Sequence, residues 1–185
     1  MKWTIPGTVL QIPLQETDRV EDILSSMFLG GGIVLSQVSA ITGLEPYTVQ
    51  NWVKRGFLVP PVNKRYTLRQ LCRIININML KAALPMEEIC GLLQYINGHL
   101  NDESDDLIDD SQLYFLFVKL AASHRQMHDE QGRDAYLEKL LADYREPVPG
   151  AKARVDKVLR VMLTAWAAAQ LRLTAQQMVQ QLKEE

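Results

Sequence analysis

Five polar side chains crowd into two helical turns at Tyr47, Thr48, Gln50, Asn51 and Lys54, and Arg55 follows directly. On a helix they occupy the faces left open by the apolar set Leu44, Val49, Val53 and Phe57. Their chemistry suits the reading of nucleic acid. Gln and Asn can pair hydrogen bonds with adenine, Thr can meet a base edge or a thymine methyl, and Lys54 and Arg55 can reach phosphates. A second basic pair, Lys64 and Arg65, precedes Tyr66 in a segment stiffened by Pro60 and Pro61. Arg69 and Arg73 lie one helical turn apart beyond it and could extend a phosphate-contacting surface.

Other chemistries are poorly provided for. There is no nucleophile–base set, and Gly30-Gly31-Gly32 runs into Ile-Val-Leu rather than the Lys-Ser/Thr of a phosphate-cradling loop. His124 and His128 stand at i, i+4 with no third ligand in a recognisable motif. The acidic run 101–110 lacks the alternation and glycine of a calcium loop. Cys72 and Cys90 form no CxxC and fit a reduced, cytoplasmic protein. We therefore expect no enzyme, no cofactor and no metal. Trp52 and Phe57 could stack on bases, but packing is the expected role at these positions.

The elements that must hold these residues follow from punctuation. A helical stretch over 18–29, with Val20, Ile23, Leu24, Met27 and Phe28 at helical spacing, is stopped by three glycines. A helix starting at Ile33 stops at Gly43, and Pro46 opens a second that runs to about Arg55 before Gly56. The segment 59–66 is read as a short hairpin, and Thr67 caps a third helix over about 68–83. Pro85 opens a fourth that Gly98 closes. Val38 and Ile41 on the first of these helices, with the apolar set of the second, would lock the two at a steep angle. Six of the ten residues 101–110 are acidic, which predicts a solvated linker. Ser111 is then expected to cap a helix, and the chain to stay helical to its end, with breaks near Gly132 and over 145–150. Val155, Leu159, Met162, Trp166, Ala169 and Leu173 form a heptad-like stripe, either core or dimer seam. Thr174 and Gln177 suggest a capping box, so a break and a short last helix are expected there. The class is all-α with a small hairpin.

Charge is uneven. Residues 31–100 hold seven Lys or Arg against three acids, a net +4, while the rest of the chain is −6. A basic island in an acidic chain is the footprint of one module that touches phosphates. Hydrophobic residues at 47% and charged residues at 23% are ordinary for a globular protein. The uncharged run 161–171 is far short of the roughly 20 residues a spanning helix needs, and the N-terminus makes a poor signal peptide. We expect a cytoplasmic protein with no membrane segment.

The run from Leu35 to Val49, then Lys54-Arg55-Gly56-Phe57-Leu58-Val59-Pro60-Pro61, Lys64-Arg65-Tyr66-Thr67-Leu68-Arg69-Gln70-Leu71 and Leu84-Pro85-Met86-Glu87-Glu88-Ile89, resembles MerR-type DNA-binding domains in order and spacing. The whole-chain layout, with Tyr95-Ile96-Asn97-Gly98 and the turn at 146–151, also resembles a bacterial family characterised only as a domain of unknown function with a MerR-like first half. The resemblance implies a winged helix-turn-helix over 33–100, between a helical arm at 1–32 and the acidic linker 101–110. An all-helical dimerisation or effector domain would then fill 111–185. It also implies a transcriptional regulator that binds double-stranded DNA as a homodimer and could take a small-molecule effector. Tyr47, Thr48, Gln50 and Asn51 match base- and backbone-contacting positions, and Arg65 and Tyr66 match the wing Arg-Tyr that grips phosphate. Typical members carry arginines at the positions of Tyr47 and Gln50, a tyrosine at that of Asn51, and a longer wing. Metal-sensing members place cysteines at the start of a long dimerisation helix, and this chain does not. The alternative expectation is a protein-interaction scaffold whose degenerate winged helix no longer binds DNA.

Overall fold

In the computed structural model, which describes residues 2–124 and 129–183, the chain opens with an antiparallel pair of strands, β1 (Lys2–Thr4) and β2 (Gln11–Pro13). A 3-10 turn over Leu14–Arg19 leads into α1 (Val20–Ser26). Then follow β3 (Ile33–Val34), α2 (Leu35–Thr42), α3 (Pro46–Lys54) and β4 (Arg65–Tyr66). After these come α4 (Leu68–Leu80), α5 (Met86–Asn97), α6 (Asp110–Ser123), α7 (Glu130–Leu140) and α8 (Ala151–Leu182). The architecture is all-α with two small two-stranded sheets. Among the described residues no helix is long and apolar enough to cross a membrane.

The molecule is organised around α4. Thr67 caps it by accepting from the Gln70 amide at 3.2 Å, and the Gln70 side chain answers by accepting from the Thr67 amide at 2.9 Å. Leu71, Cys72, Ile74, Ile75, Ile77 and Leu80 are all fully buried, and a helix apolar on so many sides must be enclosed. It packs on α2, α5, α6 and α8. Its polar residues tie neighbours to it. The Asn78 amide donates to Gly7 O at 2.9 Å and Thr42 O at 3.0 Å, joining the N-terminal segment to the end of α2. From α6, the Tyr114 hydroxyl donates to Pro6 O at 2.8 Å. Gly7, at φ +73°, sits so close that a Cβ there would lie 2.6 Å from Ile75 O. The segment expected to be a helical arm is thus docked on the core. Its strands went unread because three residues are too few for alternation to show.

One continuous buried cluster runs from Ile5 to Ala165. The acidic stretch read as a solvated linker is part of it: Leu107 and Ile108 are buried, and the Leu107 amide donates to Ile96 O at 2.8 Å. Three local expectations are corrected. Ile33 and Val34 are a strand rather than the start of α2, because they pair with Tyr66 and Arg65. Asp109, not Ser111, caps α6, accepting from the Ser111 amide at 2.8 Å. There is no break at Thr174, whose hydroxyl donates to Gln170 O at 3.0 Å, back into its own helix. The stripe Val155, Leu159, Met162 and Ala169 is core, with Trp166 packed edge-on to Phe117, but Leu173 is exposed.

Candidate functional site

α2 and α3 meet across Gly43, which adopts φ +70° and ends α2. The Thr42 hydroxyl donates to Val38 O at 2.8 Å and accepts from the Leu44 amide at 3.2 Å, fixing the turn. Val38, Ile41, Leu44, Val49 and Trp52 are buried behind it, and Pro46 sets the first turn of α3. Lys81 of the α4–α5 turn lies 5.5 Å over the Trp52 ring. Tyr47, Gln50, Asn51 and Lys54 are left on one solvent face, at i, i+3, i+4 and i+7, with Tyr47 71% exposed. None of these four side chains has a hydrogen-bond or ion-pair partner among the described residues. Thr48 is half-buried at the edge of this face, and the exposed Arg55 stacks 4.6 Å over Phe57.

The hairpin stands beside that face. Asn63 and Lys64 take φ +50° and +61°, the two left-handed residues of a tight primed turn, and Val62 bridges Arg65 across it. The turn lifts the Lys64 side chain into solvent. β4 pairs with β3, so Tyr66 is 3% exposed, and burial pushes its phenol above the usual range. Arg65 is exposed and donates to Gly32 O at 2.9 Å, which holds its guanidinium against the glycine run. Gln70 reaches back to Val59 O at 3.0 Å and Pro60 O at 3.2 Å, tying the proline segment to α4. Between hairpin and helices lies a mainly apolar groove of about 570 Å³, lined by Leu35, Gln50, Val53, Pro61, Lys64 and Tyr66 among others. Gln50 of α3 and Lys64 of the hairpin therefore border the same groove.

Arg69 and Arg73 are placed elsewhere. Arg69 pairs with Asp106, lies 3.0 Å from Glu103, and has Asp109 and Asp110 at 3.7 and 3.8 Å. Burial works against its charge, but Asp106, Asp110 and Glu103 outweigh that and raise its pKa. Arg73 donates to Phe57 O at 3.2 Å and reaches Asp110 at 3.4 Å. Asp110 is buried to 1% exposure. Desolvation raises its pKa, and Arg73 and Arg69 only partly offset this. Two of the seven cations in the basic island are thus neutralised by the acidic stretch 103–110, leaving Lys54, Arg55, Lys64, Arg65 and Lys81.

The family model described as a domain of unknown function, DUF1836, matches residues 19–117. The chain belongs to that family. The matched span takes in α1 to α4, the hairpin, α5, the acidic stretch and the first half of α6. It leaves the β1–β2 pair, α7 and α8 outside. An uncharacterised Bacillus subtilis (strain 168) protein, YkrK, is similar at 29% identity over 86 residues, 44% of this chain. The chain spans only 37% of that relative's length. No solved structure matches.

Gln70 is the positioning residue that escaped notice in the sequence, although Thr67-x-x-Gln70 carried the capping-box signal. The histidine pair is only partly visible. His124 stands edge-on 6.0 Å from Trp166, and burial followed by Arg133 lowers its pKa, while His128 lies outside the described residues. No group of three or more His, Cys, Asp or Glu able to hold a metal occurs among the described residues. Burial raises both thiols, strongly for Cys72, which is packed in the core, and less for Cys90, which is half-buried.

Proposed function

We propose that this chain is a sequence-specific DNA-binding transcriptional regulator that reads duplex DNA as a winged helix-turn-helix of MerR type. In this reading α2 braces α3, α3 enters the major groove, and the hairpin at 62–66 is the wing. The observation that carries it is the unpartnered face Tyr47–Gln50–Asn51–Lys54, held rigid by a buried seam and flanked by a cationic hairpin that borders the same groove as Gln50. Gln50 and Asn51 read base edges, with Thr48 and Tyr47 beside them, and Lys54, Arg55, Lys64 and Arg65 hold phosphates. Tyr66, Arg69 and Arg73 leave the contact set: the first is buried under the hairpin and the other two are held by carboxylates. They shape the surface instead.

The test is selection of bound fragments from a genomic library by the full chain at low salt. The reading expects enrichment of a discrete motif with two-fold symmetry, and enrichment lost in the Gln50→Ala, Asn51→Ala variant. No retention on heparin or DNA, together with co-purification of a stable protein partner, favours the scaffold reading, for which the loss of two arginines from the basic surface speaks. A second cavity of about 590 Å³, lined by Phe115, Leu116, Leu140, Tyr144 and the acidic stretch, offers room for a small effector. A thermal-shift screen of metabolites addresses it.

A further inference from the structure

The turn between α1 and β3 carries an apolar side chain that the fold does not use. After Ser26 the chain closes on itself. The Met27 amide donates to Leu24 O at 3.1 Å, the Phe28 amide to Ser25 O at 3.0 Å and the Gly31 amide to Phe28 O at 3.0 Å. Phe28 packs on the core and anchors the turn, whereas Leu29 is 89% exposed and Met27 38%. An exposed leucine alone is ordinary, but this one stands on bare backbone beside a cation. Gly30 has no left-handed φ, and a Cβ there would meet nothing within 4 Å, so neither conformation nor packing calls for glycine. A glycine that the fold does not need leaves room for an outside surface to approach the backbone. Gly32 then presses the chain onto the hairpin, where a Cβ would lie 3.0 Å from Tyr66 O and 3.2 Å from Arg65 Cβ. Leu29 is three residues, so at most about 11 Å, from Gly32, whose carbonyl accepts from the Arg65 guanidinium at 2.9 Å. The stretch brings no carboxylate of its own: no charged residue occurs from Ile23 to Leu44, and Glu21 and Asp22 lie in the first turn of α1.

We propose that this turn is a second DNA-contacting element and that Leu29 is a wedge, inserted into the minor groove at a base step flanking the site read by α3. The proposal rests on the duplex-DNA reading above and deepens it. In that reading α3 fills the major groove and Arg65 grips the phosphate strand that borders it. Across that strand lies the minor groove, whose width of about 6 Å admits a single apolar side chain. Leucine is among the side chains that enter there and partly unstack a step. The hydrogen-bonded turn presents Leu29 with its backbone already ordered, so insertion does not also have to fix the loop. A protein partner fits less well. Leu29 and Met27 offer two side chains, far short of the about 800 Å² per partner of a stable protein interface.

The experiment places 2-aminopurine, which brightens when unstacked, at successive steps flanking the selected motif and titrates each duplex with the full chain. One flanking step is expected to brighten at least about 2-fold when the wild type binds. Leu29→Ser removes that signal and lowers affinity for the motif about 10-fold, whereas Leu29→Met keeps both. Circular dichroism and Tm of these variants stay at wild-type values, because the side chain is exposed. Gly30→Ala leaves stability unchanged or raised and still weakens DNA binding, since its methyl group fills the approach to the backbone. Val148→Ser, at an exposed site in the turn before α8, alters neither signal nor affinity. A bound wild type that brightens no flanking step, or a signal that survives Leu29→Ser, overturns the wedge and leaves the reading of α3 standing. A wild type that binds no duplex overturns that reading, and the wedge with it.

Discussion

Arg73→Met removes a charge from the basic island and keeps most of its volume, which separates structural from DNA-binding roles. In the folded protein the Arg73 side chain is 11% exposed and holds the buried Asp110 carboxyl, while donating to Phe57 O. Removing one member of a buried pair costs about 3–5 kcal/mol, because the partner charge stays desolvated. Arg69, 3.8 Å from Asp110, retains some compensation, so about 3 kcal/mol is expected at neutral pH. For a chain of this length that corresponds to a drop in Tm of about 6–12 °C. The pH dependence follows from the sign of the shift. The Asp110 pKa is already raised by burial, and loss of Arg73 raises it further. A carboxyl with a raised folded pKa contributes stability below its unfolded pKa of about 3.9 and loses it as pH rises through the folded value. The deficit of the variant is therefore largest at neutral pH and shrinks on acidification into the carboxylate range. Thermal unfolding at pH 7 and pH 4.5 measures this, and a DNA titration well below the variant's Tm should return wild-type affinity. A variant with unchanged Tm, a deficit that grows with acid, or a specific loss of DNA affinity by the folded variant refutes the assignment of Arg73 to the core.

Further outcomes follow from the same geometry. Lys64→Gly relieves a left-handed backbone at φ +61°, so it should raise stability by about 0.5–1 kcal/mol in chemical denaturation while lowering DNA affinity. Lys64→Ala with Arg65→Ala should flatten the slope of log affinity against log salt by about two, and an unchanged slope would mean that the hairpin touches no phosphate. Gln70→Ala removes both the capping partner and the ties to Val59 O and Pro60 O. It should cost about 1–2 kcal/mol and weaken DNA binding although the residue is outside the contact set. Gly7→Ala, with its Cβ 2.6 Å from Ile75 O and a left-handed φ, should cost more than about 2 kcal/mol.

Signals that act over one or two turns were legible in the sequence. Gly43 and Gly56 end helices at positive φ, Pro46 starts one, and Thr67 caps another as its residue type dictates. The buried seam of Val38, Ile41, Leu44 and Val49 follows from their spacing. What the sequence concealed is long-range or competitive. Arg69 and Arg73 look like solvent-facing cations until the chain folds residues 103–110, more than thirty positions away, onto them. The carboxylates there look like a solvated run for the same reason. Tyr66 matched a wing position by pattern, but β3–β4 pairing buries its ring. The Thr174 hydroxyl could accept from the Gln177 amide as a cap or donate to Gln170 O, and the second bond keeps α8 whole, which leaves the apolar face after Ala169 exposed.

The central claim is that Gln50 and Asn51 on α3 read bases. The direct measurement is fluorescence anisotropy of the full chain on a duplex carrying the selected motif and on a shuffled duplex, at a fixed salt of about 50–150 mM. The account predicts that the wild type prefers its motif by about 10³-fold or more. With Gln50→Ala and Asn51→Ala together, that preference collapses by at least about 30-fold, while affinity for the shuffled duplex changes little. A folded wild type that binds neither duplex, or a double variant that keeps the full preference, contradicts it.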